Sequence, residues 1–452
     1  MRGRRSWLAA LVLGLVVPLA ACQVESPVPP PEPTPPAGDP VALDFLAYGP
    51  EEEVAAYQSM VDRFNNDHPT VEVSLTTARN ADAAFRAISG RGERPDVFLA
   101  SRRDLAEIAE RGLNQPIDEL LDSRGVDFGD FYKRDAQLAF ALDGRLQCMP
   151  HGASPMVIYY NTDLIDFETM AERELPVPSN HASWSFDQFA AAAQFASRRG
   201  IKGAHIEPSL LGITPFVLSG GGEMYDDNRD PTTLRLSEEG SRAALERTLQ
   251  LLRRNRISPS PAQLRRSSAL ERFKAGRLGM IAGFRTLVPE LRDTPSLSFD
   301  VMPMPRLETG TTVGDVSGIC LSSDPESVSA AADFVVHAIS AESVAEVAEA
   351  GYLVPAHNEV AESETFLQPD RLPQHAEVFN RSVRDVVVPP LLDSLVELEE
   401  AIHPELYRLF YARVIDLEAI TERIDEVSRT VIAPELVTED PEEEPEGSPD
   451  GD

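Results

Sequence analysis

At 452 residues the chain exceeds one typical domain, so two domains are the starting expectation. Apolar residues make up 42%, enough for real cores. Against 41 Lys and Arg stand 74 Asp and Glu, a net charge of −33, and this disfavours nucleic-acid binders, which need basic surface to displace counterions.

Arg2, Arg4 and Arg5 give a cationic start, residues 7–19 are apolar without an acid, and Leu19-Ala20-Ala21-Cys22 completes the stretch. The run is too short to span a bilayer comfortably and ends in small residues, so residues 1–21 read as a secretory signal. A plain signal cleaved elsewhere, or an N-terminal anchor helix, is the alternative. The ending resembles the bacterial lipoprotein box, in which the Cys is diacylglyceryl-modified and becomes the mature N-terminus. That resemblance implies lipidation of Cys22, with a second, palmitate-type acyl chain needed for stable anchoring, because one chain holds only marginally. The 38 bases then left against 74 acids give the mature chain a charge of −36.

Residues 23–40 hold eight prolines and favour extended polyproline II over helix or ladder. With Cys22 they form a linker, reaching roughly 50 Å at about 3.1 Å per residue. The body then alternates. Residues 41–48 read as a strand closed by Gly49-Pro50, and residues 51–65 as a helix with Val54, Tyr57, Val61 and Phe64 at helical spacing. Residues 71–75 read as a strand, 81–89 as a helix, 95–100 as a buried strand, and 103–111 as a helix capped by Gly112. This βαβαβα order predicts a doubly wound α/β sheet, with ligands beyond the strands' carboxyl ends, near Tyr48 and near Ala100-Ser101-Arg102. Residues 437–452 carry eight acids, no base and three prolines, the composition of a disordered tail.

Catalytic signatures are absent. The eight histidines are far apart in sequence, so there is no HExxH and no local metal pair. No Gly-x-Ser-x-Gly elbow occurs, and Gly220-Gly221-Gly222 lacks the Gly-Lys of a phosphate loop. Asp226-x-Asn228-x-Asp230 starts like a calcium loop, but Pro231 and Ser237 stand where Gly and Glu belong, which leaves a polar turn. No metal site and no cofactor are expected, and the chain does not read as an enzyme.

Several segments together resemble the extracellular solute-binding proteins of ABC importers, the group that includes maltose-binding protein. Asn65-Asn66-Asp67-His68-Pro69-Thr70-Val71-Glu72-Val73 resembles that family's opening, and Pro95-Asp96-Val97-Phe98-Leu99 its third strand. Pro116-Ile117-Asp118-Glu119-Leu120-Leu121 resembles the family's segment after that strand. Val157-Ile158-Tyr159-Tyr160-Asn161-Thr162-Asp163-Leu164 resembles the crossing between lobes, and Trp184-Ser185-Phe186-Asp187-Gln188-Phe189 a helix start of the second lobe. Phe273-Lys274-Ala275-Gly276-Arg277-Leu278-Gly279-Met280 and Gly351-Tyr352-Leu353-Val354-Pro355-Ala356 complete the series over residues 41 to about 430.

The resemblance implies a two-lobe periplasmic-binding-protein-like α/β fold, each lobe a mixed sheet flanked by helices, joined by hinge strands. Lobe 1 is expected over 41–150 and 318–356, lobe 2 over 157–312 and 360–435. It implies a monomer on the outer face of the cytoplasmic membrane, touching the bilayer through its lipid only and delivering a solute, chiefly a sugar or sugar derivative, to permease subunits by cleft closure. Ligand contacts are expected from Tyr48, Ser101, Arg102 and Ser154 in the first lobe and crossover, and from Glu207, Phe284 and Arg285 in the second. Arg102 and Arg103, in the loop after the third strand, raise an acidic sugar, a phosphorylated polyol or another anion as the solute. The scarcity of Trp leaves room for a ligand-free sensory or interaction lipoprotein on the same fold. The family's hinge segments run side by side, so the resemblance allows a Cys148–Cys320 disulfide, with two separate buried cysteines as the alternative.

Overall fold

The structure, a computed structural model, describes residues 39–436 except 127–131, 133, 391 and 393. Cys22, its signal and linker, and the acidic tail over 437–452 lie outside the described residues.

Strands β1 (Val41–Tyr48), β2 (Val71–Ala78) and β3 (Val97–Ser101) open the chain as parallel neighbours, Val41 opposite Val71 and Phe45 opposite Val97. Between the first two, the helix Glu51–Asp67 begins with Glu51, Glu52 and Glu53 at its positive end and buries Tyr57, Met60, Val61 and Phe64. The Phe64 ring meets Phe334 edge-on at 5.1 Å, and Phe334 also meets Phe45 at 5.2 Å, so helix, sheet and return helix share one apolar seam. Two polar side chains pin the layer. Asn65 bonds both backbone groups of Val73, at 2.8 and 2.9 Å, and Asp96 accepts from the amides of Asp44 at 2.7 Å and Glu326 at 2.6 Å.

Further along come β4 (Asn114–Gln115) and a hairpin of β5 (Ala141–Leu142) and β6 (Arg145–Leu146). Its two-residue turn places Asp143 at φ 52° and Gly144 at φ 77°, the conformation an Asp-Gly pair tolerates. Strand β7 (Cys148–Pro155) leads through Met156 into β8 (Val157–Asn161), which belongs to the second sheet with β9 (Lys202–His205), β10 (Leu278–Gly283) and β11 (Phe299–Met302) in the order β11-β8-β10-β9. The eleven-residue β12 (Thr312–Ser322) carries the chain back, and β13 (Val354–Pro355) and β14 (Val386–Val387) come after it. The first sheet runs β13-β7-β12-β3-β1-β2, with β4 and β14 also paired to β12. Two lobes, each a sheet flanked by helices, are thus joined by hinge strands.

Trp184 is part of the second core. Its indole N–H donates to the Pro303 carbonyl at 2.7 Å, and Ser185 and Gln188 form a capping box on the helix Phe186–Ala196. The polar turn is present too: Asp226 accepts from the amides of Thr232 and Thr233, and Asp227 from those of Arg229 and Asp230. The helices Asn358–Glu362 and Glu364–Leu367, whose residues from 360 on are expected in the second lobe, pack against the helix Ala341–Glu349. Among the described residues no single helix is long and apolar enough to cross a membrane.

Cys148 and Cys320 face each other in the β7–β12 pair and are bridged, both residues fully buried, at a sequence separation of 172. The closed loop contains most of the second lobe. A bridge of this span restricts the unfolded chain by up to roughly 4–5 kcal/mol in the loop-entropy account. We expect Cys320→Ala to lower the unfolding free energy by a few kcal/mol, measured in urea without reductant. Unreduced, denatured mature protein should show no free thiol; two titratable thiols would refute the bridge.

Candidate functional site

The carboxyl ends of β1 and β3 open toward the second lobe, and the hinge strands β7 and β12 floor the space between. Two adjoining cavities of about 490 and 420 Å³ lie there, sharing Asn80, Ala81, Ser154, Thr286 and Asp315. From the first lobe come Tyr48, Glu53, Asp82, Ser101, Arg103 and Tyr352; from the second, Leu211, Phe284, Leu395 and Glu399. Gly314 permits the close approach of the hinge strands, because a Cβ there would sit 2.5 Å from the Ser154 carbonyl oxygen.

Carboxylates dominate the floor. The Asp315 carboxylate accepts the Ser101 hydroxyl at 2.6 Å, and burial raises its pKa against that bond and against Arg103. Glu53, 8% exposed, is pushed by burial from 4.5 up to about 7, with a bond from Tyr57 opposing. Asp104, beneath them, rises to about 6, again through burial, with Arg103 opposing. The Tyr48 hydroxyl is buried and has no hydrogen-bond partner among the described residues. Arg103 ion-pairs with Asp82 and, at 3.3 Å, with Asp104, so its charge is spent within the lobe. The arrangement offers acceptors for hydroxyl groups, one unengaged phenol and several rings.

Residues 59–374 match the family described as bacterial extracellular solute-binding protein. The chain belongs to that family. Curated relatives include a putative binding protein of Brucella abortus (strain 2308), 23% identical over 220 residues, which are 48% of this chain and 51% of that protein. The chain thus spans about half the length of the curated relatives it matches. Among solved structures, an ABC substrate-binding protein of Listeria monocytogenes in complex with cycloalternan superposes with a TM-score of 0.70 at 20% identity, covering 88% of this chain and 100% of that one. A cyclo/maltodextrin-binding protein complexed with maltotetraose gives 0.70 at 15% identity, covering 88% and 98%. At these identities the likeness shows the fold.

Of the residues singled out in this solute-binding chain, the structure brings Tyr48, Ser101, Ser154 and Phe284 to the cleft. Three others, Arg102, Glu207 and Arg285, line neither cavity. Arg102 begins a tight turn directly after β3, where successive side chains diverge by about 120°, and Arg103 takes the cavity position in its place. Glu207 is exposed and bonds His205 at 3.0 Å, at its own strand end, while Leu211 from the following helix reaches the cavity. Arg285 is fully buried away from the cleft. Its guanidinium lies 4.2 Å from the Phe366 ring and 5.2 Å from Phe379, donates to the Phe366 carbonyl at 3.2 Å, and is pushed by burial down to about 9.

Residues that sequence reasoning passed over are Glu53, Asp315 and Tyr352. Asp315 left a trace, an acid between Gly314 and Val316 in an apolar strand. Glu53 looked like one more helix-start acid.

Glu53 gives a pH test. Between pH 4.5 and about 7 the folded chain holds a proton there that the unfolded chain has released, so the group's stabilisation is full below 4.5 and lost as pH rises to 7. His151, fully buried and pushed down to about 4, works in the opposite sense, losing stability as pH falls. Asp104, raised to about 6, adds to the first trend, so the difference between variant and wild type is the informative quantity. Relative to wild type, Glu53→Gln should gain on the order of 3 kcal/mol between pH 4.5 and 8 in denaturant unfolding. A pH-independent difference would contradict the buried, protonated carboxyl.

Proposed function

We propose that this protein captures a sugar or sugar derivative between its lobes and delivers it to the permease of an ABC importer from the outer face of the cytoplasmic membrane, held there by lipid on Cys22. The observation that carries the ligand class is the cleft floor. Asp315 and Glu53 present carboxyl oxygens in a low-dielectric setting where hydrogen bonds from hydroxyl donors are strengthened. Tyr48, Phe284 and Tyr352 add ring surface for the apolar faces of pyranoses. Solved relatives with cycloalternan and maltotetraose bound agree with that chemistry. An anionic solute is the poorer fit, because Arg103 is already paired with Asp82 and Asp104 and Arg102 lines neither cavity.

Contacts from both lobes supply the differential affinity that closure requires, since a ligand shifts an equilibrium only by what it binds better in one state. The cationic signal-like start, the apolar run and Cys22 support the anchor, and the proline-rich linker gives the domain reach above the bilayer.

A melting-temperature panel of neutral, amino and acidic sugars selects the tightest ligand, and calorimetric titration then reads the variants. Tyr48→Phe should leave the ligand-free protein at least as stable, because the hydroxyl has no partner to lose, yet weaken binding by roughly 5–10-fold. Asp315→Asn should weaken it by roughly 10–100-fold. Unchanged affinity in both variants would place the site elsewhere. For the anchor, fatty-acid labelling is expected in the wild type and absent in Cys22→Ala; equal label in both would reject it.

A further inference from the structure

Away from the cleft, the fold assembles three ligand-type side chains from distant parts of the chain. His181, Asp300 and His375 each offer one nitrogen or carboxylate oxygen, and these atoms lie within 4.8 Å of one another. Asp300, in β11, is 5% exposed. Its Oδ1 accepts from the backbone amides of Val301 at 2.9 Å and His375 at 3.1 Å. That anchoring turns Oδ2 toward both imidazoles, 2.5 Å from His375 Nδ1 and 3.9 Å from His181 Nε2. The two rings are stacked, centroids 3.5 Å apart and planes 7° apart. The Tyr160 hydroxyl stands 2.9 Å from the same His181 nitrogen. No Arg or Lys pairs with Asp300 among the described residues, so beyond its two amide donors the buried carboxylate faces imidazoles. A buried carboxylate calls for a compensating cation.

We propose that His181, Asp300 and His375 form a binding site for a divalent transition-metal ion of the zinc type. Two imidazoles and a carboxylate are the nitrogen and oxygen donors such ions favour, and a water or the Tyr160 oxygen completes four-coordination. The bonds formed are Nε2 of His181, Nδ1 of His375 and Oδ2 of Asp300 to the ion; the proton between His375 Nδ1 and Asp300 is displaced, and His375 remains a neutral imidazole with its one proton on the solvent-side Nε2. A tetrahedral ion with bonds near 2.0–2.1 Å separates its donors by about 3.3 Å. The 2.5 Å pair therefore opens and the 3.9 Å pair closes, each by less than about an ångström, and the rings rotate out of their stack so that their in-plane lone pairs converge. Both histidines retain solvent access, 19% and 37% of their side chains, which leaves room for that rotation and for the ion to enter. The amide bonds to Oδ1 hold the carboxylate in place as outer-shell partners do in metal sites. Once bound, the ion ties together the loop ahead of Trp184, β11 and the segment ahead of the helix Glu377–Ser382.

The test titrates metal-stripped full chain with Zn²⁺ by calorimetry and with Co²⁺ by absorption. We expect one equivalent of Zn²⁺ bound by the wild type, with Co²⁺ giving the visible bands of a four-coordinate nitrogen and oxygen site. His181→Gln and His375→Gln should each weaken Zn²⁺ binding by roughly 100-fold and abolish those bands. So acidic a chain gathers cations loosely, and Zn²⁺ bound equally by both variants would overturn the proposal. So would the absence of an equivalent in the wild type. The Co²⁺ spectrum reads the ligand set of the unmutated protein, and an octahedral, all-oxygen spectrum overturns the proposal whatever either variant's folding.

Discussion

Backbone pairing along β12 holds the molecule's other features in register. The strand bonds β7 from Gly314 to Cys320, β3 from Ser317 to Leu321, and the short β4 and β14 at its two ends. One end lies in the first lobe's core, where Ile319, Cys320 and Leu321 are fully buried, and the other leads to the second lobe. Because side chains alternate along a strand, this single register decides that Asp315 and Ser317 face the cleft while Val316 enters the core. A slip of one residue would turn the carboxylate into the apolar core and the valine into the cleft. The Cys148–Cys320 bridge locks that register covalently, in the first lobe's end of the pair and away from the crossing at Met156.

The cleft illustrates how a site stores unmet polar demand. Ser101 supports Asp315, Tyr57 supports Glu53, and the Tyr48 hydroxyl is left without a partner among the described residues. A buried hydroxyl with nothing to bond destabilises the empty protein by about 1–3 kcal/mol. On the proposed reading, a ligand hydroxyl bonded to Tyr48 would relieve that penalty, setting part of the recognition energy aside in the unliganded fold. The same low-dielectric setting raises the carboxyl pKa values and strengthens any hydrogen bond they accept.

How much of this was legible in the sequence depends on the range of the interactions involved. Local patterns placed the early strands and helices nearly to the residue, because the apolar spacing of Tyr57, Val61 and Phe64 and the turns at Gly49-Pro50 and Gly112 are short-range signals. Tyr48 and Ser101 could be placed because the strand-end rule needs only the strand. Arg102 was off by one residue, since a tight turn after β3 decides which arginine points inward. Arg285 failed for another reason: nothing local marks an arginine whose partners, Phe366 and Phe379, lie far along the chain. Buried arginines without a carboxylate are rare enough that a cleft position was the better expectation.

Histidines show the limit most clearly. His181 and His375 stand in distant parts of the chain, so no spacing rule links them, yet their rings stack at 3.5 Å. What brings them together is the second sheet. The β8–β11 register sets Tyr160 opposite Asp300, the Tyr160 hydroxyl reaches His181, and Asp300 takes both the backbone amide and the ring of His375. Each link is a pairing of two polar groups at the margin of an apolar core, where an unpaired group would be costly. The core therefore selects the geometry of the cluster, and the cluster's chemistry is a consequence of packing that had to be solved for other reasons. The same logic places Asp315 in the cleft, and in both places a carboxylate is fixed by a fold-wide register that no local motif announces.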